Sequence, residues 1–260
     1  MPTTTSADGT VIAYDRLGEG PPVIVVGGAL CDRSLTAGLA TELAGHRTVL
    51  NFDRRGRGAS GDTPPYAVAR EIEDVGALLA AAGGSAAIYG HSSGAALGLH
   101  AAAAGLPVER LVMHEAPYAP PGGMADAARA EAAELEGLLA DGRRADAVAR
   151  FLEMTGMPAD AVAAARDEPW FAGMEAMAHT LLYDSQVMGD AERGGTIPEA
   201  LADAVGVPVL VLSGDAGPDW FLEIGERLAT LLPDGRHEVL AGQEHVVPPE
   251  VLVPVLLRFL

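Results

Sequence analysis

Apolar residues follow two rhythms along the chain. Short, largely apolar runs occur at 22–26 (Pro-Val-Ile-Val-Val), 48–52, 86–89, 111–114 and 208–212 (Pro-Val-Leu-Val-Leu). Between them lie longer stretches in which apolar positions recur every three to four residues, at 35–44, 68–82, 93–104, 221–232 and 249–259. An apolar run with no polar alternation has no face for water, so it predicts a strand buried on both sides, whereas the longer period predicts an amphipathic helix. Further short strands are predicted at 11–14 and 238–240. Alternation of the two types predicts an α/β fold, with a mostly parallel sheet and helices on both of its faces.

From about 117 to about 203 the strand rhythm stops and the pattern is helical throughout, at 124–139, 145–154, 159–165 and 170–183. A helical block between two strands of one sheet predicts a cap, inserted after the strand that follows the helix at 93–104. The expected organisation is therefore a core of residues 1–116 and 204–260, with the cap at 117–203 over the sheet's carboxyl edge, where open α/β sheets bind ligands. Met154, Met157, Trp170, Phe171, Met174, Met177, Leu181 and Tyr183 fall at helical spacing within the cap. Most should pack internally. Trp170 and Met174 are expected to line a cavity, because aromatic and thioether side chains make an adaptable apolar wall.

Charge narrows the partners. The 260 residues carry 17 basic and 36 acidic side chains, a net charge of −19, and every basic one is arginine. Such a field repels phosphate backbones and anionic bilayers, so neither nucleic acid nor membrane is expected as a partner. Cys31 stands alone, which rules out an intrachain disulfide and points to a small packing residue. Residues 1–8 lack the charged and apolar regions of a signal peptide, so a cytoplasmic location is expected. The sequence leaves a homodimer open. No histidines show metal-ligand spacing and no phosphate-binding glycine signature is present, so neither metal nor nucleotide cofactor is expected.

The most specific local signal is Gly90-His91-Ser92-Ser93-Gly94, set between the strand at 86–89 and the helix at 93–104. A G-x-S-x-G segment at a strand-to-helix turn forms a nucleophile elbow, in which the central serine is thrust out of a strained turn. Glycines two positions either side remove the collision that the turn would otherwise create. The Ser93 amide, at a helix N-terminus, is then aimed where an oxyanion would form.

With that elbow in place, the chain resembles the α/β-hydrolase superfamily over nearly its full length, and within it small capped hydrolases of actinobacteria. The matching pieces arrive in family order. They are a strand ending Gly27-Gly28, the turn Asp53-Arg54-Arg55-Gly56-Arg57-Gly58-Ala59-Ser60, the elbow, a helical cap, and a late histidine in Gly242-Gln243-Glu244-His245. The resemblance implies that His245 is the general base for Ser92 and that Ala29 supplies the second oxyanion amide. Gly27 stands where the family usually has histidine. The commonest family position for the acid here falls on Gly217, a departure that leaves Asp215 and Asp219 as neighbours. Some members carry the acid at the end of the strand after the elbow helix, which places Glu115 there. Glu115 is preferred, with Asp215, Asp219 or a dyad without an acid left open. The Asp53 to Ser60 turn is expected to be scaffold, with its arginines paired on a surface.

The activity implied is cofactor-independent cleavage of an ester, thioester or lactone of a medium-sized, largely apolar small molecule through an acyl-enzyme on Ser92. Leu30 and His114 join Trp170 and Met174 as expected pocket residues, and His179 is a further candidate. A serine at the elbow argues against the haloalkane dehalogenase and epoxide hydrolase chemistries, which use aspartate there. C–C bond hydrolysis, a lyase or cyclase of a natural-product pathway, and a binding-only protein are the alternatives. The last does not need Ser92, His245 and a carboxylate together.

Overall fold

A computed structural model describes residues 1–260. One sheet holds eight strands, β1 (Thr3–Thr5), β2 (Val11–Leu17), β3 (Pro22–Val26), β4 (Thr48–Phe52), β5 (Ala86–His91), β6 (Val108–His114), β7 (Val209–Gly214) and β8 (Gly235–Leu240). Their order is β1-β2-β4-β3-β5-β6-β7-β8. The β1–β2 and β2–β4 pairs are antiparallel and all others parallel. The expected strand at 11–14 thus runs three residues further, and pairs with a β1 that three threonines gave no apolar signal for.

The buried strands sort their side chains by parity, as a pleated strand must. Val23 and Val25 of β3 join one apolar cluster with Leu39, Ala40 and Leu43 of α1 (Ala37–Leu43) and Leu252, Val253 and Leu256 of α12 (Pro249–Phe259). Ile24 and Val26 join the opposite cluster, with α2 (Val68–Ala82), α3 (Ser93–Ala103) and α11 (Trp220–Leu231). Each aliphatic side chain buried this way contributes roughly 1.5–3 kcal/mol.

Between β6 and β7 the chain forms α4 (Gly123–Ala140), α5 (Arg144–Met154), α6 (Ala159–Ala165), α7 (Pro169–Met177), α8 (Leu181–Met188), α9 (Asp190–Arg193) and α10 (Glu199–Asp203). The helix expected at 170–183 is broken by a 3-10 turn at Ala178–Thr180, where the Thr180 hydroxyl donates to the Met177 carbonyl. This insertion has a core of its own, in which Leu135, Val148, Leu152, Phe171, Met177 and Leu181 surround Leu30 from the loop after β3. No helix is long and apolar enough to cross a membrane.

The strand order reverses between β3 and β5, because the chain leaves β3 to one side for β4 and returns on the other for β5. Loops from the carboxyl ends of these strands diverge there and leave a crevice. Ser92 follows β5 at that point.

Candidate active site

The turn from β5 into α3 gives Ser92 φ 57° and ψ −128°, a conformation that side chains rarely adopt. Its amide donates to the His114 carbonyl at 2.9 Å, which ties the turn to β6. The flanking glycines are sterically required. A Cβ on Gly90 would lie 2.4 Å from the Gly94 carbonyl oxygen, and one on Gly94 would lie 2.3 Å from that of Val26. Gly28 crosses directly over the serine, where a Cβ would come within 2.9 Å of the Ser92 Cβ. The other two non-glycine residues with positive φ are Leu30 (51°) and Glu115 (45°), so all three strained positions lie at ends of adjacent strands on this one edge.

Glu115 leaves the end of β6, and is 2% exposed. Its Oε2 lies 2.5 Å from His245 Nδ1, and its Oε1 accepts the Gly214 amide at 2.7 Å. His245 sits in the loop between β8 and α12. That loop closes against Gly214, where a Cβ would lie 2.2 Å from the Gln243 carbonyl oxygen. The imidazole is flanked by Phe221 at 5.3 Å and by His91 at 4.4 Å between ring centroids, and His91 Nε2 is 2.9 Å from the His245 carbonyl. Asp215 instead accepts the Gly242 amide at 2.5 Å, and Asp219 is exposed at the start of α11. Neither bonds His245. Of the three carboxylates weighed in the sequence, the structure brings Glu115 alone to the imidazole.

Three histidines cluster here, and their environments differ. Burial, with His245 next, pushes His91 down to about 4, and burial holds His114 well below the usual imidazole range. His114 Nδ1 bonds the Tyr89 hydroxyl at 2.8 Å while its Nε2 is buried without a partner. His245 keeps 38% of its side chain exposed. The His91 ring lies between the other two, 5.0 Å from His114 and 4.4 Å from His245 between centroids. His91, beside the nucleophile in sequence, thus packs laterally on His245.

The pocket residues expected from the sequence are placed unequally. Leu30 is wholly enclosed by the insertion's core and His114 is 1% exposed, which takes both out of an open pocket wall. Trp170 is 44% exposed, because it turns outward on α7 while its neighbour Phe171 turns in. Met174 is half-buried against the insertion's core. His179 Nε2 is 3.4 Å from Asp62 and lies edge-on to Tyr183. Cys31 packs with its Sγ 3.3 Å from the Ala29 carbonyl, and burial raises its thiol pKa. No three His, Cys, Asp or Glu side chains are grouped to hold a metal ion.

The largest correction concerns the arginines of the Asp53 to Ser60 turn. Arg54, Arg55 and Arg57 are not on a surface but are at most 1% exposed. Arg54 forms a two-pronged pair with Glu71 at 2.7 Å and bonds Asp184 at 2.7 Å. Arg55 grips Asp74 with two 2.7 Å bonds, and reaches Asp8 at 2.9 Å. Arg57 bonds Asp184 at 2.7 Å and donates to the Gly28 carbonyl. Buried guanidinium groups survive only when paired in this way.

Comparison with known proteins bears on the fold. The model of the alpha/beta hydrolase family matches residues 23–250. An alpha/beta hydrolase from Sphaerobacter thermophilus DSM 20745 superposes with a TM-score of 0.87 at 49% identity, over 99% of both chains. A hydrolase from Pseudomonas aeruginosa PA01 reaches 0.71 at 24% identity, over 99% of this chain and 97% of its own. The enol-lactonase from Burkholderia xenovorans LB400 reaches 0.68 at 23%, over 99% of both. At these last two identities the likeness is one of fold. Among curated proteins, none matches the chain.

Proposed function

The chain belongs to the alpha/beta hydrolase family, and from that premise we propose that it is a cofactor-independent serine hydrolase of esters, thioesters or lactones. One observation carries the reading. A serine stands on a strained elbow at the end of β5, and an imidazole from the loop after β8 holds its Nδ1 2.5 Å from a buried carboxylate at the end of β6, on the same edge of the sheet.

Ser92 Oγ attacks the acyl carbon while its proton passes to His245 Nε2, and the carbonyl π pair moves onto oxygen. Glu115 keeps Nδ1 protonated and stabilises the imidazolium that forms, itself held in place by the Gly214 amide. The tetrahedral oxyanion is received by the Ser93 amide, at the N-terminus of the eleven-residue α3, and by the Ala29 amide, which donates to no acceptor within the chain. Collapse expels the alcohol, thiol or ring oxygen, which takes the proton from His245. Water then gives its proton to the same nitrogen and attacks the acyl carbon, releasing the acid and restoring Ser92.

The insertion at 117–203 caps this site. Its apolar interior and the half-buried Met154, Met157 and Met174 support a medium-sized, largely uncharged substrate. Esterase and lactonase structures share the fold at 16–23% identity, so the bond cleaved is argued from the triad chemistry. The test is turnover of short p-nitrophenyl esters and simple lactones. Activity lost in both Ser92→Ala and His245→Ala, with unchanged circular dichroism, supports the reading, and activity kept in Ser92→Ala overturns it.

A further inference from the structure

Beneath the elbow lies a cluster the reaction does not consume. It contains Arg54, Arg57, Glu71 and Asp184, none more than 5% exposed, with two positive and two negative charges. Asp184 is the only member from the helical insertion, on α8. Burial opposes its charge, but Arg57 and Arg54 beside it hold its carboxyl below the ordinary value. Three donors converge on it. Oδ1 accepts from the Ser93 hydroxyl and from Arg54, both at 2.7 Å, and Oδ2 accepts from Arg57 at 2.7 Å.

Two of these bonds, from Ser93 and from Arg57, lead to an oxyanion amide. Ser93 is held by its side chain, and its own N–H is one donor. Arg57 holds the Gly28 carbonyl, which belongs to the same peptide unit as the Ala29 N–H. In a trans peptide the C=O and N–H point in opposite directions, so drawing the carbonyl down onto Arg57 turns the Ala29 amide up, away from the arginines. Arg54 also reaches the Gly27 carbonyl at 3.4 Å. Gly27 stands where the resembling family usually carries a histidine, whose side chain commonly braces this loop.

We propose that Asp184, acting through Arg57 and the Ser93 hydroxyl, is the positioning residue of the oxyanion hole, so that docking of α8 from the insertion sets the aim of both amides. The inference rests on the serine-hydrolase reading. It makes the insertion part of the reacting geometry as well as the roof over it.

Removing Asp184 alone strands a buried guanidinium, so the principal variant is Asp184→Asn with Arg57→Met, which leaves Arg54 balanced by Glu71. Ser93→Ala is the second, since it keeps every charge paired and the Ser93 amide in place. For both, kcat is measured per active serine, titrated with a fluorophosphonate, together with KM and the Ki of a trifluoromethyl ketone whose hemiketal oxygen occupies the hole. The double variant is expected to lose about 10²-fold in kcat, comparable to loss of one oxyanion donor, and Ser93→Ala about 10-fold, with KM nearly constant and Ki weakening in step. A merely structural role would reduce the titratable fraction and the Tm but leave kcat per active serine unchanged. That outcome, in Ser93→Ala or in the double variant, overturns the proposal. Wild-type protein that no fluorophosphonate labels would overturn the hydrolase reading itself.

Discussion

The carboxyl edge of the sheet and the helical insertion above it are built on opposite terms. At the edge, Leu30, Ser92 and Glu115 all hold positive φ, and Gly28, Gly90, Gly94 and Gly214 sit where no Cβ fits. Backbone there is strained and each position is dictated by its neighbours. The insertion is regular helix, with an apolar interior around Phe171 and Met177 and exposed ion pairs such as Arg150–Glu134 and Arg143–Asp146. Exposed pairs of that kind contribute at most about 1 kcal/mol each. The proposed function puts chemistry where the structure cannot adjust, and substrate selection where side chains can change at little cost. Asp184 is the exception, a buried charge sent from the insertion into the edge.

Breaking the edge should cost the most. Ser92→Ala is expected to lower kcat by several orders of magnitude with a near-native Tm, and the residual rate on p-nitrophenyl esters measures what the remaining site still does. Glu115→Gln follows, with a loss of roughly 10²- to 10⁴-fold, while Asp215→Asn and Asp219→Asn change kcat little. Were Asp215→Asn the damaging variant, the contact between Glu115 and His245 would be structural and the acid reassigned.

A pH profile sharpens the same point. Protonating His245 removes the lone pair that takes the Ser92 proton, so kcat/KM falls as pH falls. His91, pushed down to about 4, and His114, held well below the ordinary imidazole value, both chiefly by burial, stay neutral near neutral pH. The decline should therefore follow one proton, about tenfold per pH unit. A two-proton slope would bring His91 into the chemistry.

The insertion should respond more gently, and by residue. Phe171→Ala, in its interior, is expected to cost about 3–5 kcal/mol in urea denaturation, while the outward-facing Trp170→Ala costs about 1 kcal/mol or less. Met174→Ala is expected to shift the ratio of kcat/KM values along an acyl-chain series by about 10-fold with fluorophosphonate labelling retained. Parallel profiles in wild type and Met174→Ala would make Met174 a packing residue only.

These contrasts track what could be read in the sequence. The elbow was legible because its requirement is local: two glycines and a serine where a strand meets a helix. Glu115 was legible as a strand-end carboxylate, once Gly217 occupied the commoner position. The buried arginines were not. Glu71, Asp74 and Asp184 meet Arg54, Arg55 and Arg57 from 17 to 130 residues away, whereas three arginines in one turn read as pairing with local carboxylates on a surface. Trp170 and Phe171 are adjacent, so the apolar rhythm could not say which faced inward. Ser93 carried a signal of a kind, a second hydroxyl in the elbow where any small residue would serve.

The central claim is that Ser92, with His245 and Glu115 behind it, is an activated nucleophile. Labelling the native protein with a fluorophosphonate and mapping the modified peptide tests it most directly. The predicted result is a single adduct on Ser92, absent in His245→Ala and formed far more slowly in Glu115→Gln. No adduct, or one on another serine or on Cys31, would contradict it.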